Sequence, residues 1–97
     1  MLMTFEELQE HGLSLAFADA SFNSYGQQRI IIQFDHNAPG IDKQPRFEAI
    51  VRNVDDVERI MRIEDAKKRQ EQLYLGVALK LEPKIIDYLD QLEHENH

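Results

Sequence analysis

Residues 73–81 read LYLGVALKL, and the fold turns on how they are taken. Leu73, Leu75, Val77, Leu79 and Leu81 occupy every odd position. A period of two predicts a strand, and Gly76 weakens a helix there. The alternative joins this segment to the preceding one in a single helix over 55–81, since Leu, Ala and Lys are good helix formers. The strand is the expectation carried forward. Glu82-Pro83 then starts a last helix with Pro83 at its first position, a site that suits a residue without an N–H. Ile85, Ile86, Leu89 and Leu92 form its apolar stripe, and the tail after Glu93 frays.

Upstream of this segment the signals are more local. Thr4 to Glu7 fits a capping box, Phe5 and Leu8 share a face, and Gly12 closes a short first helix. Residues 13–22 alternate, with Leu13, Leu15 and Phe17 on one side. Asn23-Ser24-Tyr25-Gly26 reads as a turn. Arg29 to Phe34 is a strand with Ile30, Ile32 and Phe34 inward. Asp35 to Pro45, with two prolines and a glycine, is a long loop. Arg46 to Arg52 is a third strand with Phe47, Ala49 and Val51 inward. Asn53 or Asp55 caps the next helix, whose core stripe is Val57, Ile60 and Met61. Its charges pair at i,i+4 (Asp55–Arg59, Glu58–Arg62, Glu64–Lys68, Asp65–Arg69), each worth roughly 0.2–0.5 kcal/mol. The expected fold class is α+β: a single domain over 1–97, with a three- to four-stranded mostly antiparallel sheet and two or three helices packed on one face.

The 97 residues suffice for one domain. The absence of cysteine excludes a disulfide scaffold, a cysteine nucleophile and a thiolate metal site. It also fits a reducing cytosol. No apolar run approaches the roughly 20 residues of a membrane span, and MLMTFEELQE has neither the basic nor the apolar region of a secretory signal. A cytoplasmic protein without membrane contact is expected.

The net charge is −7 and its placement is uneven. Residues 1–28 hold four acids and no base, and residues 72–97 hold five acids and two bases. Residues 55–71 hold six acids and five bases and nearly neutralise themselves. The unbalanced acids lie on the first helix, as Glu6, Glu7 and Glu10, and on the last, as Asp87 and Asp90. Solubility alone accounts for much surface acidity. Beyond it, such a surface argues for a basic partner and against phosphate or an anionic membrane.

Tests for chemistry mostly fail. There is no nucleophile elbow, P-loop or dinucleotide fingerprint, and Ser14, Ser21 and Ser24 lack a triad context. His94 and His97, beside Glu93 and Glu95, have donor types suited to a metal, but they sit on a fraying end without groups to orient them. Asp35-His36-Asn37 with Asp42 reads as turn chemistry. Asp35, Glu48 and the Glu82-Pro83-Lys84 spacing are carboxylates of a kind used by metal-dependent nucleases, yet a nuclease must grip phosphate. No catalytic residue, metal or cofactor is expected, and the protein is not expected to be an enzyme. The αβββα order of the first 71 residues is that of a double-stranded-RNA-binding domain. Asp55-Asp56 gives the second helix the wrong sign for that role. Lys67 to Arg69 reads as the favourable basic end of a helix. Direct nucleic-acid binding is not expected.

In size, sign of charge and α/β layout the chain resembles the small phage-encoded anti-CRISPR proteins, particularly those directed at the type I-F surveillance complex. Uracil-DNA glycosylase inhibitors exemplify the same strategy. The resemblance covers the whole chain in outline and carries no motif, so no functional residue comes with it. It implies an acidic DNA mimic that occupies a basic, nucleic-acid-binding groove of a target protein, with Glu6, Glu7, Glu10, Asp87 and Asp90 as the partner surface. The alternatives are an immunity or antitoxin protein against a nuclease toxin, or an accessory phage protein whose acidity serves solubility.

Overall fold

In a computed structural model of the chain, residues 3–95 are described. Helix α1 (Phe5–Glu10) begins where the Thr4 hydroxyl accepts the Glu7 N–H at 3.2 Å and donates to the Glu7 carboxylate at 3.3 Å. It ends at Gly12, whose φ of +79° suits a residue without a Cβ. A Cβ here would also lie 2.8 Å from the Asn37 carbonyl oxygen. That close approach brings the helix end onto the sheet.

Strands β1 (Leu13–Phe22) and β2 (Gln28–Ala38) form a long antiparallel hairpin. Its turn is held by the Asn23 side-chain oxygen, which accepts the Tyr25 and Gln27 N–H groups at 2.9 Å each. Strands β3 (Ile41–Lys43) and β4 (Arg46–Ile50) share the opposite edge of β2, separated by Gln44-Pro45. All pairings are antiparallel. The expected loop over 35–45 is therefore mostly strand. Asp35 and His36 pair with Ser14 and Leu13, and β3 returns from Pro39-Gly40 onto residues 36–38. Cross-strand partners override the weak local preference of these polar residues.

One register shift corrects the reading of β1. Leu15 pairs with Phe34 and Phe17 with Gln33, so Ala16 is a bulge. Because side chains alternate, one extra residue reverses every later position. Leu13 and Ala18 face the core, whereas Phe17 is exposed on the far face of the sheet. On β2, Ile30, Ile32 and Phe34 point inward as expected.

Helix α2 (Val54–Met61) starts at Asn53, whose side chain accepts the Asp56 N–H. Val57 is buried and Ile60 packs on the core, but Met61 is exposed. Helix α3 (Ala66–Glu95) then runs for 30 residues. Segment 73–81 is thus helical, and the expected fourth strand there does not exist. The buried residues Leu73, Tyr74, Val77, Ala78, Leu81 and Ile85 follow helical spacing, while Leu75 and Leu79 face outward. The odd-position leucines divide between two faces of one helix. Pro83 lies inside α3, not at its start. It is exposed, so the carbonyl its missing N–H leaves free is on the wet side. Gly76 has open space around its Cβ position, so it too sits on the outside. Ile86, expected in the core, is exposed as well.

The chain breaks between α2 and α3 at residues 62–65. Asp65 caps the new helix by accepting the Lys67 and Lys68 N–H groups, and Arg69 donates to the Ile63 carbonyl at 2.8 Å. The break dissolves the expected i,i+4 ladder. Among the described residues, Arg59 pairs with Asp56 at 2.9 Å instead of Asp55, and none of the four expected pairs forms. It also moves Lys67 to Arg69 from an expected helix end to the first turn of α3. Helix α3 extends to Glu95, and residues 96–97 of the expected tail, with His97 of the His94–His97 pair, lie outside the described residues.

The fold is α+β. A four-stranded antiparallel sheet is covered on one face by α3, with α1 and α2 flanking it. At about 1.5 Å per residue α3 spans roughly 45 Å, close to the 44 Å longest extent of the molecule. No helix among the described residues is long and apolar enough to cross a membrane.

Candidate acidic interface

The acids of α1 are placed by its apolar side. Leu8 is buried and Phe5 packs against the Tyr74 ring, centroids 5.2 Å apart, so Glu6 and Glu10 are left exposed. Glu7 is half-buried and engaged with Thr4. Glu6 and Glu7 also suit the positive end of the helix dipole, which is a structural use for both.

Tyr74 ties this segment to α3. Its hydroxyl donates to the Met3 carbonyl at 2.6 Å. Its pKa is pushed up to about 12, first by burial and then by the negative charges of Glu7 and Glu82. Carboxylates of α1 and α3 therefore act on one hydroxyl. A groove of about 370 Å³ is lined by His11 at the end of α1 and by Asp90 and Glu93 of α3. Asp90 thus stands on the α1 side of the molecule.

Asp87 is exposed and lies three residues before Asp90 on α3, and three and seven residues after Lys84 and Lys80, a neighbour of both groups on the helix surface. Those lysines reach β4, where their ammonium groups donate to the Ile50 and Glu48 carbonyls at 2.8 and 2.7 Å. Of the five predicted partner residues, Glu6, Glu7 and Glu10 lie on α1 and Asp87 and Asp90 on α3, where Asp90 lines the groove that His11 also lines and Glu7 acts with Glu82 on Tyr74. Glu93 borders the same groove.

The basic side chains explain why this acidity faces outward. Arg29 bonds Glu48 and Ser21, Lys43 bonds Glu95, and Arg59 bonds Asp56. Arg69, Lys80 and Lys84 are spent on backbone carbonyls. Six of the 11 basic residues are engaged in this way. Among the described residues, Glu6, Glu7, Glu10, Asp87 and Asp90 enter no ion pair.

The groups considered for chemistry stand apart. Asp35 accepts from Gln44 at 3.0 Å, and Glu48 pairs with Arg29. Glu48 lies opposite Ile31, four residues along β2 from Asp35, a separation of about 13 Å at 3.3 Å per residue. Lys84 reaches β4, whereas the Glu82 charge acts on Tyr74 toward α1, so the E-x-K pair is split. His36 is buried, with Nδ1 2.8 Å from the Tyr88 hydroxyl. Burial lowers its pKa, opposed by a bond to the His11 backbone, and the nearby His11 and Lys43 charges lower it further. A neutral imidazole joining β2 to α3 is the result. Among the described residues, no cluster of three or more His, Asp or Glu side chains is arranged to hold a metal.

No family model, curated protein or solved structure matches this chain.

Proposed function

We propose that the protein is an acidic, non-enzymatic inhibitor that occupies a basic, nucleic-acid-binding groove of another protein and excludes DNA from it. The target in view is a CRISPR surveillance complex of type I-F. The observation that carries this reading is the exposed carboxylates of α1 (Glu6, Glu10) and of α3 (Asp87, Asp90), which enter no ion pair among the described residues while six of the 11 basic residues are engaged within the fold. Duplex DNA carries one charge per ~1.7 Å of axis, so a groove built for it is rich in arginine and lysine. Carboxylates on two adjoining elements meet several of those cations at once. Attraction at long range speeds the encounter, and salt slows it.

The test measures target-DNA binding by the surveillance complex in the presence of the protein, over a range of salt. Inhibition that weakens with salt is expected. Glu6→Lys and Glu10→Lys each cost about five- to thirtyfold in inhibition, taking about 1–2 kcal/mol for reversing one desolvated charge. Glu58→Lys, on α2, is the control and leaves it within about twofold, since exposed charges outside the contact have little effect. Equal losses at all three positions, or inhibition indifferent to salt, refute the proposal.

A further inference from the structure

Helix α3 has a second apolar line besides the one that meets the sheet. Leu75, Leu79 and Ile86 are 39, 66 and 40% exposed. At 3.6 residues per turn, four and eleven residues from Leu75 return to nearly the same side, so these three form one outward seam. Gly76 and Pro83 adjoin it, both exposed and neither projecting a long side chain. The ends of the seam are charged. Lys68 lies 18 residues, five whole turns, before Ile86, and Glu93 lies 18 residues after Leu75. Both are exposed, and among the described residues neither enters an ion pair.

The charge order along α3 opposes the helix dipole. Lys67, Lys68 and Arg69 stand in the first turn, and Asp87, Asp90, Glu93 and Glu95 in the last two to three. In isolation this arrangement is unfavourable at both ends. A second α3 running antiparallel reverses that, because each basic start then lies beside an acidic finish. The register is self-consistent. A two-fold axis between Lys80 and Leu81 sets Leu75 against Ile86 of the other copy. The same axis sets Lys68 against Glu93 and brings Leu79 beside Pro83. Parallel pairing would instead set like charges together.

We infer that the outward seam of α3 is the self-association surface of this protein, pairing two copies antiparallel through Leu75, Leu79 and Ile86 with Lys68–Glu93 ion pairs at both ends. The occupant is a second copy of this chain, because under a two-fold the seam's apolar positions meet one another and its end charges meet their opposites. Glu82 stays at the rim, directed toward α1 where its charge reaches Tyr74. Glu6 and Glu10 lie on α1, outside the seam, while Ile86 and Glu93 also line the groove with Asp90, so sedimentation reads association separately from inhibition.

Sedimentation equilibrium of the full chain tests this, with thermal melts to confirm that each variant is folded. The wild-type chain is a reversible dimer. Leu79→Glu, at the most exposed position of the seam, weakens association at least tenfold with melting unchanged. Lys68→Glu alone and Glu93→Lys alone each weaken it about three- to tenfold, as for solvent-facing ion pairs. The double reversal restores it. A wild-type chain that stays monomeric up to about 1 mM, the weak end of specific association, overturns the inference and leaves the seam to a different protein. So does a dimer indifferent to Leu79→Glu, or a double reversal no better than the two single ones.

Discussion

Replacing Tyr74 by phenylalanine removes one oxygen atom from a side chain that holds the α1–α3 junction together. Tyr74 is fully buried and its hydroxyl donates to the Met3 carbonyl at 2.6 Å. The phenylalanine ring retains the packing on Phe5 and Phe34. What is lost is one buried hydrogen bond, with the Met3 carbonyl left without that donor, a cost of about 1–3 kcal/mol at neutral pH. For a domain of this size each kcal/mol lowers Tm by about 4–8 °C. The same hydroxyl gives the experiment a second axis. Its folded pKa is raised from 10.0 to about 12. Below pH 10 both folded and unfolded chains hold the proton, and the hydroxyl's full contribution is present. As pH rises through that interval the unfolded chain loses its proton first, so the folded state loses up to about 3 kcal/mol of relative stability. Phenylalanine does not titrate. Urea unfolding of both proteins at pH 7 and near pH 11 therefore shows a Tyr74→Phe penalty that shrinks or reverses at the higher pH. A penalty equal at both pH values refutes the assignment of this hydroxyl as a buried donor under the field of Glu7 and Glu82.

Three further substitutions test the fold itself. Gly12→Ala places a methyl group 2.8 Å from the Asn37 carbonyl at a φ of +79°, and a destabilisation of about 1–3 kcal/mol in urea unfolding is expected. Gly76→Ala meets open space on a helix and stabilises by about 0.5–1 kcal/mol. Pro83→Ala, inside the same helix, stabilises by about 1–3 kcal/mol as a backbone hydrogen bond is regained. If Pro83 began a helix after a strand, its replacement would have no such effect, and a neutral or destabilising result counts against a continuous α3.

Local signals read correctly wherever the cause was local. Thr4 and Glu7 met as a cap, Gly12 stopped α1, Asn53 began α2, and Ile30, Ile32 and Phe34 faced the core. Phe17 was misread because a single bulge at Ala16 reverses parity without a sequence marker. The LYLGVALKL segment was misread for a different reason. Its odd positions satisfy a strand, but Tyr74 and Ala78 complete a helical stripe, and the outward leucines made the alternation look regular. A helix with apolar residues on two faces has no clean period, and its exposed seam is the feature that suggests a second copy.

The sequence by itself determined that this is an acidic, cysteine-free α+β chain, which segments begin and end where caps and glycines stand, and that the surplus of carboxylates lies toward its two ends. Those are properties of composition and of neighbours a few residues apart. Only the tertiary structure decided that α3 is continuous and that Lys67 to Arg69 open it. It alone set His11, at the end of α1, in one groove with Asp90 and Glu93 and brought the charges of Glu7 and Glu82 onto Tyr74. These depend on contacts between residues tens of positions apart, Met3 with Tyr74 and Lys84 with Glu48 among them, whose energies outweigh the small local preferences that a sequence displays.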